Sequence, residues 1–161
     1  MATAGQAAEM PTLAVPDFGQ IVDVAGAQMR PDPKANYRMV FGVTKAAAKP
    51  GQPNPSLDRV ARFVNLLDHY GVPKDHRTIV AIVYGPATNV VRQPTAGASA
   101  GPDVRLIEEL VAAGVQVAVC SQAAHAHDLA PADLLPNVRM DVSAITTIAT
   151  LQAQGYGFLP D

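Results

Sequence analysis

The chain has 161 residues, a length that a single hydrophobic core serves and that leaves little room for a second domain. Hydrophobic residues make up 48% and charged residues 16%, which excludes a disordered chain, while 12 Lys+Arg against 14 Asp+Glu leave no basic footprint for nucleic acid or for an anionic membrane. The lone cysteine forms no intramolecular disulfide, and no run reaches the roughly 20 apolar residues that would span a bilayer.

Residues 1–16 are small and polar, carry Pro11 and Pro16, and lack periodicity, so they read as a flexible N-terminal arm ahead of a single α/β domain over 17–161. The first basic residue is Arg30, so the positive start of a secretion signal is missing and the chain reads as cytoplasmic. Its Ala-rich opening, MATAGQAAEM, also fits the remnant of an export signal removed upstream. Ile21, Val22 and Val24 form a short apolar group before Pro31 and Pro33, read as a small edge strand or hairpin.

From Tyr37 onward, short apolar runs alternate with amphipathic stretches, the pattern of βαβ units around a mostly parallel sheet. YRMVFGVT (37–44) is the first core strand. In NPSLDRVARFVNLLDHYG, Leu57, Val60, Ala61, Val64 and Leu67 share a helical stripe, with Arg59, Arg62, Asn65 and His69 largely opposite. Ser56 suits its N-cap and Gly71 its C-terminal stop. TIVAIVYG (78–85) is nearly continuous and β-branched, as expected of a central strand buried on both faces. GPDVRLIEELVAAG follows as a helix with Pro102 near N1 and Gly114 at its end. VQVAVC (115–120) is a strand that ends on the cysteine, and SQAAHAHDLA a short helix. NVRMDV is a fourth strand, SAITTIATLQAQG a helix started by Ser143, and YGFLP a final strand. Right-handed crossovers then leave a flavodoxin-like or Rossmann-like three-layer fold with a mostly parallel five-stranded sheet.

In such sheets ligands meet the protein beyond the carboxyl ends of the strands, where loops and helix N-termini converge. Two strands end suggestively, one in Gly85-Pro86-Ala87-Thr88-Asn89 and one in Cys120-Ser121-Gln122, and if they are neighbours their turns form one wall. Amides opening a helix after Cys120 would favour thiolate over thiol, whereas the plainer alternative makes Cys120 a small buried hydrophobe. His125 and His127 are two apart and so diverge on a helix, which makes solvated residues a better reading than metal ligands. His69 and His76 are read as surface residues. GPATN lacks the glycines and the lysine of a phosphate loop, so no cofactor or metal is expected.

Three segments, VYGPATN, GVQVAVCSQ and SAITTIATLQAQGYGFLP, resemble in order and spacing the DsrE/DsrF-like, or YchN-like, family. DPKANYRMVFGVT and NPSLDRVARFVNLL extend the similarity over most of the chain from about residue 18. The resemblance implies a persulfide carrier of sulfur metabolism rather than a conventional turnover enzyme, with Cys120 as the sulfur acceptor and Gly85, Pro86, Asn89, Ser121 and Gln122 shaping its pocket. It also implies a homo-oligomer, trimer or hexamer, whose partners are sulfur donor and acceptor proteins or small thiols. Two other readings stand beside it: a non-catalytic oligomeric module and a thiol redox sensor. The chain departs from its relatives in carrying Ser121 where they often have glycine and Tyr84 where they often have histidine, and VVRQPTAGASAG is shorter than the matching segment.

Overall fold

The computed structural model describes residues 12–161. Its core elements run β1 (Tyr37–Val43), α1 (Pro55–His69), β2 (Arg77–Val83), α2 (Pro102–Ala112), β3 (Gln116–Cys120), α3 (Ser121–Ala126), β4 (Val138–Asp141), α4 (Ala144–Ala153) and β5 (Gly157–Leu159). Short 3-10 turns at Lys74–His76, Gly85–Val91 and Pro131–Asp133 fill the connections. The sheet has the order β4-β3-β2-β1-β5, and every pairing in it is parallel.

That order dictates the layers. Steps from β1 to β2, β3 and β4 all move the same way, so right-handed crossovers put α1, α2 and α3 on one face. The step from β4 back to β5 moves the opposite way and puts α4 on the other. Alternating strand residues divide accordingly. Phe41, Val43, Ile79, Ala81, Val83, Val117 and Val119 pack under the first layer, whereas Val40, Val80, Ile82, Ala118 and Cys120 meet Ala144, Ile148 and Leu151 of α4. The first layer holds the larger share of the core. Leu57, Leu67, Leu106, Ile107 and Leu110 are fully buried there, each contributing about 1.5–3 kcal/mol, while Ala144 is the only buried residue of α4.

Caps follow local chemistry. Asn54, not Ser56, caps α1: its side chain accepts the Ser56 and Leu57 amides at 3.0 and 3.1 Å. Gly71 ends that helix at φ 75°, a conformation costly for a side chain with a Cβ.

The start of the described chain differs from expectation. Residues 1–11 of the expected arm lie outside the described residues, but Val15 is fully buried. Asn65, assigned to the polar face of α1, is fully buried as well and explains why. Its Oδ1 accepts the Val15 amide at 2.8 Å, and its Nδ2 donates toward the carbonyls of Val15, Phe18 and Gly19. The side-chain amide thus holds the segment across the outside of α1 by satisfying its backbone groups. Asp58 adds an acceptor for the Gly19 amide at 2.8 Å, and Arg105 pairs with Asp17. No strand or hairpin forms at Ile21–Val24, where Val22 and Val24 are exposed.

Candidate functional site

Cys120 is the last residue of β3, with φ −68° and ψ 121°, and α3 begins at the next residue. Ser121 avoids positive φ, so the residue that replaces the family's glycine carries no backbone strain. Its hydroxyl donates to the Val142 carbonyl at 2.7 Å, and the Gln122 side chain reaches the same carbonyl at 3.2 Å. These bonds tie the start of α3 to the junction between β4 and α4, so a second helix N-terminus arrives beside the thiol.

The sulfur sits between those two helix starts. Burial pushes the Cys120 thiol up, but hydrogen bonds from the Ala123, Ala144 and Gln122 amides and from the Ser143 hydroxyl outweigh it, and the thiol titrates below its ordinary value. Ser143 caps α4 by accepting the Ile145 amide at 3.2 Å. Beside the cysteine in the sheet, Asp141 is the register partner on β4. Its carboxylate is engaged by Arg139 at 2.8 Å and by the Thr147 hydroxyl at 2.8 Å, which offsets the like-charge repulsion a bare carboxylate would exert on a thiolate. An open groove of about 410 Å³ runs along β4 and α4, lined in part by Asp141, Val142, Thr147 and Leu151. Cys120 itself is 6% exposed.

The structure brings Ser121 and Gln122 to the cysteine, and β2 and β3 are neighbours as the one-wall reading required. The turn after β2, however, belongs to the opposite face. Its Ala87 and Val91 pack into the core beneath α1–α3, and Pro86 and Asn89 line a separate cavity of about 250 Å³ with Asn54 and Asp103. Gly85 holds φ 60° and accepts the Thr88 hydroxyl at 2.7 Å, a turn-forming arrangement. Tyr84 is the residue from this stretch that packs in the cluster containing Cys120, and its hydroxyl lies close to Gly42. His125 is exposed, whereas the half-buried His127 lies 3.2 Å from the Asn89 side chain through Nδ1. Nor are the other histidines wholly free at the surface: His69 faces Asp23 at 3.6 Å, and His76 meets the Pro33 carbonyl at 3.1 Å. Among the described residues no group of three or more His, Cys, Asp and Glu side chains is arranged to hold a metal ion. Nor is any described helix long and apolar enough to cross a membrane.

The amides of Gln122 and Ala123 follow from a helix opening after Cys120, but sequence reasoning missed Ser143 and Ala144. Ser143 was legible as a helix cap; its approach to Cys120 follows only once β4 is known to lie parallel beside β3.

Comparison with solved structures finds a protein of unknown function from Methanobacterium thermoautotrophicum, 22% identical, with a TM-score of 0.62 over 78% of this chain and 99% of that one. The ychN protein from E. coli is 15% identical, with a TM-score of 0.59 and the same coverage of 78% and 99%. At those identities the likeness establishes the fold. No curated protein sequence matches the chain. Residues 28–160 match the DsrE/DsrF-like family, from before β1 to beyond β5, and the chain belongs to that family.

Proposed function

We propose that this protein is a sulfur carrier in which the Cys120 thiolate accepts sulfane sulfur as a persulfide and delivers it to the thiol of a partner. The observation that carries this reading is the place of Cys120, at the end of β3 where α3 begins and packed against Ala144 at the start of α4, so that two helix N-termini favour the nucleophilic form. In the loading step the thiolate attacks the terminal sulfur of a donor persulfide. A Cys120 S–S bond forms as the donor's S–S bond breaks, and the donor leaves as a thiolate. The sulfane atom moves without a net redox change. In the delivery step an acceptor thiolate attacks that same outer sulfur, and Cys120 departs as thiolate, again stabilised by the same donors. Because the chain has one cysteine, both exchange partners are external, as protein thiols or as small thiols.

Family membership supports sulfur relay as the setting, and the apolar residues Val142 and Ile145, 75% and 79% exposed, support a homo-oligomer that covers them. The test is incubation with a small persulfide donor followed by intact-mass measurement. A gain of one sulfur atom, reversed by reductant and absent in Cys120→Ser, is expected; no gain in the wild type refutes the carrier reading.

A second reading, a non-catalytic oligomeric module, is favoured by the burial of Cys120 among Val80, Ile82 and Ala118. It requires a sluggish thiol. Alkylation rates measured across pH separate the two, since the carrier needs an apparent thiol pKa below that of free cysteine.

A further inference from the structure

The strand beyond Cys120 is an open edge: β4 pairs with β3 and with no other described strand. Which of its backbone groups face outward follows from the register. In each register pair of a parallel ladder, one residue bonds to the neighbouring strand and its opposite number bonds away from it. Tyr84 donates its amide to the Val43 carbonyl at 3.0 Å, so Val43 faces β2. Its register partner Val83 then faces β3, Val119 faces β4, and Met140 faces the open edge. Arg139 and Asp141, one residue to either side, turn back to β3. The two polar groups of a trans peptide point opposite ways, so the Val138 carbonyl, the Met140 amide and carbonyl, and the Val142 amide all face outward. No loop or side chain among the described residues engages these four groups.

The four groups are complementary to themselves. An antiparallel copy centred on Met140 pairs each Met140 amide with the partner's Met140 carbonyl, and each Val142 amide with the partner's Val138 carbonyl, so a two-fold axis uses all of them. The side chains select the same register. Arg139 and Asp141 stand together on one face of β4, 2.8 Å apart. Centring on Met140 sets Arg139 opposite the partner's Asp141, at positions without backbone bonds, where cross-strand side chains come closest. Centring one residue earlier or later would oppose Arg139 to Arg139 or Asp141 to Asp141, and like charges directly opposite destabilise a ladder. Val142, 75% exposed, would meet the partner's Val138. We propose that β4 is a docking edge for a second copy of this chain, joined by an antiparallel β4–β4 ladder that continues the sheet across a two-fold axis. Resting on the homo-oligomer reading, this contact gives that reading a surface and a symmetry: an isologous pair builds a dimer or a hexamer but not a bare trimer. Both thiols then lie on one face of the joined sheet at least three strand spacings apart, about 14 Å, which is too far for a disulfide between them.

The experiment cross-links the full chain in a Cys120→Ser background, with either Met140→Cys or Val138→Cys added and oxidised glutathione as the oxidant. Position 140 lies opposite itself, its Cα atoms about 5.5 Å apart, within the span of a disulfide. Position 138 lies four residues out of register with itself, about 14 Å away, beyond that span. Met140→Cys should therefore form the covalent dimer about tenfold faster or more, as read on non-reducing gels. In parallel, sedimentation equilibrium of the wild type should give a dimer or a hexamer. Arg139→Asp, which sets like charges opposite each other twice, should halve that assembly, and Arg139→Asp/Asp141→Arg should restore it. Equal cross-linking rates for the two cysteines, a wild-type trimer, or an assembly that Arg139→Asp leaves whole overturns the edge pairing while the homo-oligomer reading stands. A monomeric wild type removes both. Neither result touches the sulfur-carrier reading, which the mass gain on Cys120 tests separately.

Discussion

Ser143 caps α4 by accepting the Ile145 amide at 3.2 Å, and the same hydroxyl is among the groups that hold the Cys120 thiol below its ordinary pKa. One side chain thus serves the helix and the thiolate together. Ser143→Ala should cost about 1 kcal/mol of stability through the lost cap. It should also raise the Cys120 pKa and slow alkylation near neutral pH, while Ser143→Thr should restore both. Rates of iodoacetamide modification against pH, with urea unfolding in parallel, check the two effects separately. A Ser143→Ala protein with an unchanged alkylation profile would remove Ser143 from the site.

The same depressed thiol pKa links stability to pH. Cys120 loses its proton more readily folded than unfolded, so the thiolate contributes stability that is fully present above the unfolded thiol value, near pH 8.5, and is lost as pH falls through the folded value. Wild-type protein should therefore become more stable relative to Cys120→Ser as pH rises from neutral toward that range. Urea midpoints of the two proteins, taken at several pH values, give the difference free of other titrating groups. A difference that shrinks with rising pH contradicts a stabilised thiolate.

Asn65 holds the N-terminal segment by four backbone partners rather than by apolar contact. Asn65→Leu should leave the Val15 amide and several carbonyls unsatisfied, at a cost of about 1–3 kcal/mol for the first buried orphan group. Limited proteolysis should then cut within residues 12–20 before the core opens. Protection equal to wild type would show that Val15 and Phe18 hold the segment by packing alone.

The α/β architecture was readable because each strand and helix announces itself by its own period, from the β-branched run of β2 to the stripe on α1. Crossover handedness then supplied the layers. The candidate site was readable only in part, and the reason is which face each residue meets. Cys120 and the turn at Gly85–Asn89 both follow neighbouring strands, yet the 3-10 turn packs under α1–α3 while the sulfur points toward α4. Nothing local in GPATN specifies that choice. The donors from Ser143 and Ala144 lie 23 and 24 residues beyond Cys120, and only the parallel register of β4 on β3 brings them back to it. Asn65 illustrates the same limit in reverse: a polar residue beside an apolar stripe faces solvent unless another segment needs its amide.

Val142 and Ile145 flank the start of α4 and are both exposed apolar side chains, adjacent in sequence to Ser143 and Ala144 beside the thiol. If an oligomer covers them, Val142→Asp with Ile145→Asp should shift the sedimentation coefficient to that of a monomer, while the fold persists because neither side chain belongs to the core. The buried thiol should respond too, becoming more reactive toward bulky alkylating agents as the partner is removed. An unchanged assembly in the double variant would place the oligomer contact elsewhere on the chain.

Asp161 titrates far below its ordinary value. Burial raises it, but the Ser56 and Thr44 hydroxyls and the Thr44 and Lys45 amides outweigh that and lower the carboxyl from 3.8 to about 2. The folded value is the lower one, so the contribution is fully present above pH 3.8 and is lost as pH falls through about 2. Asp161→Asn should therefore cost on the order of 2 kcal/mol at neutral pH, the range for hydrogen bonds to a charged group. The deficit should narrow steadily as the wild-type carboxylate is protonated. Thermal unfolding of both proteins from neutral pH into that acid range measures it, and because β5 is short, exchange of its amides should report the loss before global unfolding does. A deficit that stays constant down to the lowest pH would mean that the asparagine fails through shape rather than charge.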